Sequence, residues 1–470
     1  MVFNSLPFLV FFIVITSLYY IIPSKFRWQL LLIASCYFYM AFVPKYILIL
    51  GFTIAIDYAA GLLIEKATGP KRRFYLIISL CSNIGILAFF KYFNFINFNI
   101  TEIFQQFNYR NPIPYLKFLL PIGLSFHTFQ AMSYTLEVYR GNQKAEKHFG
   151  IYALYVMFYP QLVAGPIERP QNLLHQFREK HFFNTEEVKA GLLQMAQGLF
   201  KKVVIADRIS ILVDHAYADY KTQSGLSLGI AALFYAFQIY CDFSGYSDMA
   251  IGAARVMGFK LMTNFNAPFQ SKNITEFWRR WHISLSTWFN DYLFAPLVLA
   301  KRDWGKYGVV FALMITFLIS GLWHGAGWNF IIFGGLHGLA ISYEFLTKKF
   351  RKKMLKATPQ LLYNNLSVVL TFLFACFSWV FFRSVSTAQA FEIISKIFHL
   401  SLSDHLNLKL NSIEIGFSLL LIALLLLKEK ILPVIQVRGN FAYFTLMFLI
   451  LFSCYLFGVF NNKQFIYFQF

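Results

Sequence analysis

Long apolar runs separated by short polar connections recur from one end of the chain to the other. They fall at residues 6–22, 28–44, 46–64, 74–93, 116–136, 150–164, 188–205, 226–241, 309–323, 328–347, 364–382, 412–427 and 440–461. A membrane-spanning helix needs roughly 20 apolar residues, and in lipid only helices and closed barrels satisfy their own backbone polar groups. The pattern predicts an all-α, polytopic integral membrane protein. Several runs are short or interrupted by polar residues, so about eleven are expected to cross the bilayer, the rest being re-entrant or interfacial helices. Composition agrees: 58% of residues are hydrophobic and 14% charged, against roughly 25% charged in soluble domains. The first run has no basic residues before it and no small-residue cleavage site, so it is expected to belong to the mature fold and not to a signal peptide.

The formal net charge of +20 gains meaning from where it lies, because basic residues mark cytoplasmic loops. Lys25 and Arg27 follow the first run, Lys66, Lys71, Arg72 and Arg73 follow the third, and Lys348, Lys349, Arg351, Lys352, Lys353 and Lys356 form the densest cluster. Placing all of them in the cytoplasm puts the N-terminus outside. Lys428 and Lys430 then lie inside and the C-terminus lies outside. No basic module separates from the spans, which excludes nucleic acid as a partner and leaves the lipid bilayer. The five cysteines are scattered singly, with no pairing or Cys/His spacing that indicates a disulfide framework or a metal site. Without a Gly/Ser linker, repeat or low-complexity tract, residues 1–470 read as a single membrane domain.

The middle of the chain is richer in polar residues. Asn184 and Glu187 have capping-box spacing and open an amphipathic helix predicted to end near Lys201 and Lys202. In NITEFWRRWHISLSTWFNDYLF (273–294), read as one helix, Trp278, Trp281, His282, Leu285, Trp288, Phe289 and Tyr292 share a face, and Arg279 and Arg280 lie on the polar side. His282 is then the one ionisable group on an aromatic stripe, in an interfacial helix or facing a buried cavity. GLWHGAGWNF (321–330) places Trp323 and His324 at the turn between two apolar runs, so His324 lies deep in, or across, the bilayer, where ionisable groups are functional candidates. Gly321, Gly325 and Gly327 suit a broken or closely approached backbone. His337 is 13 residues further on, about 20 Å along a continuous helix, too far to share a metal with His324. In YCDFSGYSDMAIGAAR (240–255), Asp242, Asp248 and Arg255 form a polar cavity wall or an intramembrane ion pair. Neither GxSxG nor SxxK occurs there, so a serine nucleophile lacks its usual setting. Buried histidines suit general-base activation of a hydroxyl toward an acyl group, and they equally suit a proton relay.

FWRRWHISLSTWF followed by LWHGAGWNF, with the two histidines 42 residues apart, resembles the signature of the membrane-bound O-acyltransferase family. The resemblance is to the bacterial branch concerned with alginate and peptidoglycan O-acetylation. FNSLPFLVFF, LVAGPIERP and YCDFSGYSDMAIGAARVMGF leading into NFNAPF extend it over nearly the whole chain. The resemblance implies that His324 is the essential catalytic residue and that His282 assists it, both inside a buried tunnel, with a catalytic core over about 116–347. It further implies acetyl-CoA as a cytoplasmic donor, no bound cofactor, a periplasmic acetyltransferase as partner, and location in the bacterial inner membrane. Trp278, Arg279, Arg280, Trp281, Trp323, Asp242 and Asp248 are the candidate donor- or substrate-binding residues. The two arginines are read as attracting a donor's phosphates or as snorkelling to lipid headgroups. Asn290 departs from the arginine that relatives often carry. Two alternatives stay open: a translocator without covalent chemistry, and the branch that transfers D-alanine to teichoic acids.

Overall fold

The structure, a computed structural model, describes residues 1–117, 120–163, 165–399, 406, 412–431 and 439–460. Among these residues every regular element is helical. Seven helices are long and apolar enough to cross a membrane: Pro44–Lys66, Pro70–Gln106, Gly225–Val256, Lys306–His324, Trp328–Leu346, Gln360–Arg383 and Asn440–Phe457. Leu6–Ile21 is a shorter apolar helix. Large apolar side chains such as Leu48, Leu361 and Phe441 are three-quarters or more exposed, an exposure that lipid accommodates and water does not.

Four expectations drawn from periodicity give way to local chemistry. The run 150–164 is interrupted, with helices at Phe149–Met157 and Tyr159–Leu162, because Pro160 has no N–H for the preceding turn and clashes with it. The run 116–136 starts its helix only at Leu124, after Gly123 in the left-handed region at φ 76°; Phe118 and Leu119 of that run lie outside the described residues. The helix opening at Asn184 does receive its cap, since Asn184 Oδ1 accepts from the N–H groups of Glu186 and Glu187 at 3.0 and 3.1 Å. It does not end at Lys201, however, but continues through a π-helical segment, Lys201–Ala206, into Asp207–Ala218. The stretch 273–294 is not one helix either: it divides into Ile274–Arg280 and Ile283–Phe289.

The chain forms two compact units. The first comprises Met1–Met195 with Ser247–Met262. Within it, the helices Ile47–Lys66, Pro70–Leu87 and Leu124–Arg140 pack on one another, with the Tyr134 ring lying where a side chain at Gly61 would stand. The second unit comprises Ala196–Tyr246 with Thr263–Phe470. Its centre is a helical hairpin, Lys306–His324 and Trp328–Leu346, turned by Gly325–Gly327. Gly325 and Gly327 are extended, with φ of −159° and −171°, so the turn does not need glycine for its backbone angles. Glycine is needed for proximity. A Cβ on Gly321 would lie 2.2 Å from the Phe330 carbonyl oxygen, and one on Gly334 would lie 2.2 Å from that of Phe317.

Backbone oxygens cannot move aside as a side-chain tip can, so Gly334→Ala is expected to cost about 1–3 kcal/mol through overpacking. Gly335→Ala meets only Leu318 Cδ2 at an ordinary 3.7 Å and should hold or raise stability. Thermal unfolding midpoints of the two variants in detergent check this contrast.

Candidate active site

His282 stands at the break between the two short helices, with φ 45° and ψ 53°. Left-handed geometry is uncommon for a residue with a side chain and, where packing enforces it, often marks a functional position. The residue is fully buried, its ring edge-on to Phe243 at 4.7 Å between centroids. Asn264 fixes its orientation. Asn264 Oδ1 lies 3.1 Å from His282 Nδ1, and it also accepts from the Ser284 N–H at 3.3 Å and the Ser284 hydroxyl at 2.9 Å. A backbone N–H can only donate, so the Asn264 atom it meets is the oxygen, and His282 must donate to that oxygen through Nδ1–H. The lone pair of the neutral ring is then on Nε2. Burial holds this imidazole far below the ordinary histidine range, at about 3, so it is uncharged at pH 7.

His324 is the last residue of the first hairpin helix and is 3% exposed. Its ring packs against Trp323, Phe333 and Phe382 at centroid distances of 5.0, 5.9 and 5.3 Å. The other side of the pair is close by: the Trp323 indole is 6.1 Å from the His282 ring. One indole therefore flanks both imidazoles. The hairpin places His324 and the αL break places His282, and Trp323 links them within the second unit.

The third histidine has a different fate. Trp278 Nε1–H donates to His337 Nδ1 at 3.1 Å, His337 Nε2 meets Ser378 Oγ at 3.0 Å, and Ser378 Oγ–H donates to the Ala375 carbonyl at 2.8 Å. Every proton in that series has one acceptor, so His337 is held as the Nε2–H tautomer with both nitrogens consumed. It is a packing element between helices. Among the described residues no cluster of three or more His, Cys, Asp or Glu side chains is arranged to hold a metal ion.

Beside these groups, still within the second unit, lies a cavity of about 820 Å³, well within the range of ligand sites. Arg279, Lys348 and Arg351 supply positive charge on its wall, and Trp278, Thr316, Ser320 and Asn290 also line it. The lining reaches Ser320, about one helical turn before His324, and includes neither catalytic candidate. Other sequence-predicted residues serve elsewhere. Arg280 Nε donates to Glu276 at 3.0 Å and its Nη1 to the Asn266 carbonyl at 3.3 Å, tethering the loop that carries Asn264. Trp281 is buried among Phe265, Phe277 and Trp379. Asp242 is 2.5 Å from Lys202 Nζ, which also reaches Asp207 at 2.9 Å, a buried ion triad that accounts for the helix continuing past Lys202. Asp248 belongs to the first unit, where Gln194 donates to it at 3.4 Å, as does Arg255, paired with Glu187 at 2.6 Å.

Asn264 and Lys202 are contributors that sequence reasoning missed. Asn264 lies in NFNAPF, and its signal was a polar residue just ahead of a positively charged helix in an otherwise aromatic stretch. Lys202 has an acid five residues later in an apolar run, a spacing that only the π-helical register makes useful.

The second unit thus sets two deeply buried histidines near a basic-walled cavity, in a polytopic helical protein of the kind that works inside a membrane. The match to known proteins specifies it further. Residues 114–387 fit the model of the membrane-bound O-acyltransferase family, and the chain belongs to that family, as an O-acyltransferase. It is 38% identical over 427 residues to the probable alginate O-acetylase of Pseudomonas aeruginosa, covering 88% of this chain and 79% of that one. It is 36% identical over 399 residues to the peptidoglycan O-acetyltransferase of Helicobacter pylori, covering 77% and 72%. Similarity to the teichoic acid D-alanyltransferase of Bacillus subtilis is lower and shorter, 30% over 274 residues, covering 56% and 68%.

Because folded His282 refuses a proton that the unfolded chain binds below about pH 6.5, its contribution to stability is complete above that pH and declines as pH falls. His282→Asn removes the titration and keeps a residue that tolerates αL geometry. The fall in unfolding free energy between pH 7 and pH 5 should be smaller in this variant than in the parent, by up to ~1.4 kcal/mol per pH unit. Equal slopes for the two proteins would refute the neutral, buried state of His282.

Proposed function

We propose that the chain takes acetyl groups from acetyl-CoA on the cytoplasmic side of the inner membrane and passes them toward O-acetylation of a cell-envelope polysaccharide. A periplasmic acetyltransferase is the partner that decorates the polymer. The observation that carries this reading is the basic-walled cavity, whose lining ends one helical turn from His324. Guanidinium and ammonium groups at Arg279, Lys348 and Arg351 suit the phosphates of a nucleotide-containing donor, and the Leu285, Phe289, Leu313 and Phe317 side chains of the lining suit its acyl arm. The alginate and peptidoglycan activities named for the relatives support a polysaccharide destination.

In this mechanism an acceptor hydroxyl attacks the thioester carbonyl while the neutral His324 imidazole takes its proton. The tetrahedral intermediate expels the CoA thiolate, which takes the proton back from the imidazolium. The aromatic enclosure of Trp323, Phe333 and Phe382 keeps water from competing with the acceptor. His282, with its lone pair on Nε2, accepts a hydrogen bond and so orients a hydroxyl; in this tautomer it does not polarise a carbonyl through that nitrogen. Asn264 is a positioning residue that acts through His282.

Purified protein given labelled acetyl-CoA should release CoA. His324→Ala should lower that release by at least about 100-fold, in keeping with loss of a general base, with membrane level and unfolding midpoint retained. Arg279→Ala and Arg351→Ala should each raise KM about tenfold, equivalent to about 1.4 kcal/mol, and leave kcat within about twofold. Undiminished release from His324→Ala would remove the catalytic assignment. Acetyl movement without CoA release would make the protein a translocator, and turnover of a D-alanyl thioester in preference to acetyl-CoA would place it with D-alanyl transfer.

A further inference from the structure

We propose that Asp57, Ser79 and Thr135 form a proton-binding site in the first unit, in which Asp57 is held as a neutral carboxylic acid. Asp57 is fully buried on Ile47–Lys66, inside a membrane-spanning helix. Among the described residues no lysine, arginine or histidine pairs with it; its partners are the hydroxyl of Ser79 and the amide of Asn83, both fully buried as well. An ionised carboxylate at that depth with no cation beside it is costly, and a protonated one is not.

The oxygen contacts also count protons. Asp57 Oδ1 is 2.6 Å from Ser79 Oγ, Ser79 Oγ is 3.0 Å from Thr135 Oγ1, and Thr135 Oγ1 is 3.2 Å from the Met132 carbonyl oxygen. Each hydroxyl has one proton to donate. With Asp57 ionised, two protons must serve three contacts. A proton on Asp57 Oδ1 completes the series: Asp57 donates to Ser79, Ser79 to Thr135, and Thr135 to the Met132 carbonyl. Asn83 Nδ2 meanwhile lies 2.9 Å from both carboxyl oxygens, and its contact with Oδ2 is to the carbonyl oxygen of the neutral acid. The series ends on a backbone acceptor, so the site stores a proton and does not conduct one.

A metal cation fits the same residues poorly. It would need an oxygen from Asn83 facing the carboxyl group, whereas the amide nitrogen faces it. That assignment is fixed by the Ser79 carbonyl, which can only accept and lies 3.0 Å from the same nitrogen. The inference uses no residue of the acyl-transfer site and does not depend on that activity.

Infrared difference spectra of the full-length protein in detergent at pH 7 test the proposal. The parent minus Asp57→Asn spectrum should contain a protonated carboxylic C=O band that shifts in deuterium oxide. Ser79→Ala, which keeps the acid and removes its acceptor, should move that band to higher wavenumber. A difference spectrum containing only carboxylate bands would overturn the proposal. So would an acid band that emerges only when choline replaces sodium, which would make the site one for a metal cation. If Asp57→Asn yields no folded protein, the parent minus Ser79→Ala spectrum decides: a displaced acid band supports the site, and an unchanged acid region overturns it.

Discussion

A polar group buried away from water is costly unless it is hydrogen-bonded, and lipid supplies no partner. The arrangement of the second unit follows from that constraint. Asn264 Oδ1 gathers three donors, one from His282 and two from Ser284, so a single amide satisfies the first turn of one short helix and sets an imidazole tautomer. The cap and the orienting bond are the same group. Removing Asn264 would leave a buried ring and an exposed helix end to find other partners, which is why the left-handed backbone at His282 is tolerated: the energy that αL geometry costs is offset by bonds that exist only in that geometry.

The same constraint explains the hairpin. Two apolar helices pack antiparallel around a short turn, and they do so by approaching until side chains no longer fit between them at Gly321 and Gly334. Close backbone packing through small residues is a familiar device where lipid offers no hydrophobic drive to association. Here it also delivers His324 to the end of a rigid helix in place of a loop, so its position is set by packing.

How much of this was legible in the sequence depends on the kind of force involved. Apolar runs announced the helices at 46–64, 309–323, 328–347 and 364–382, because burial in lipid dominates their free energy. The turn at His324 followed from its position between two runs. What could not be read was governed by single hydrogen bonds and by register. A helical wheel over 273–294 treats His282 as one more residue on a stripe; it has no means to register a break that depends on Asn264, 18 residues earlier. The π-helical segment at Lys201–Ala206 is equally invisible to a 100° period, and with it the burial of Lys202 between Asp207 and Asp242. Arg279 and Arg280, alike in the sequence, part company for the same reason: one lines the cavity, and the other is spent on Glu276 and the Asn266 carbonyl.

The histidines show most clearly why residue type alone does not assign a role. His282 and His337 are both fully or almost fully buried, both lie among aromatic rings, and both are uncharged or fully hydrogen-bonded in place. Their neighbours nonetheless impose opposite tautomers. At His337 an indole N–H takes up Nδ1 and a serine oxygen takes up Nε2, and that serine's own proton is committed to a backbone carbonyl, so the ring has no further hydrogen-bonding capacity. At His282 the amide oxygen takes the Nδ1 proton and leaves the lone pair on Nε2, the nitrogen that can receive a proton. The two imidazoles therefore differ by whether a donor or an acceptor stands beside Nδ1, and that neighbour fixes the tautomer of each ring.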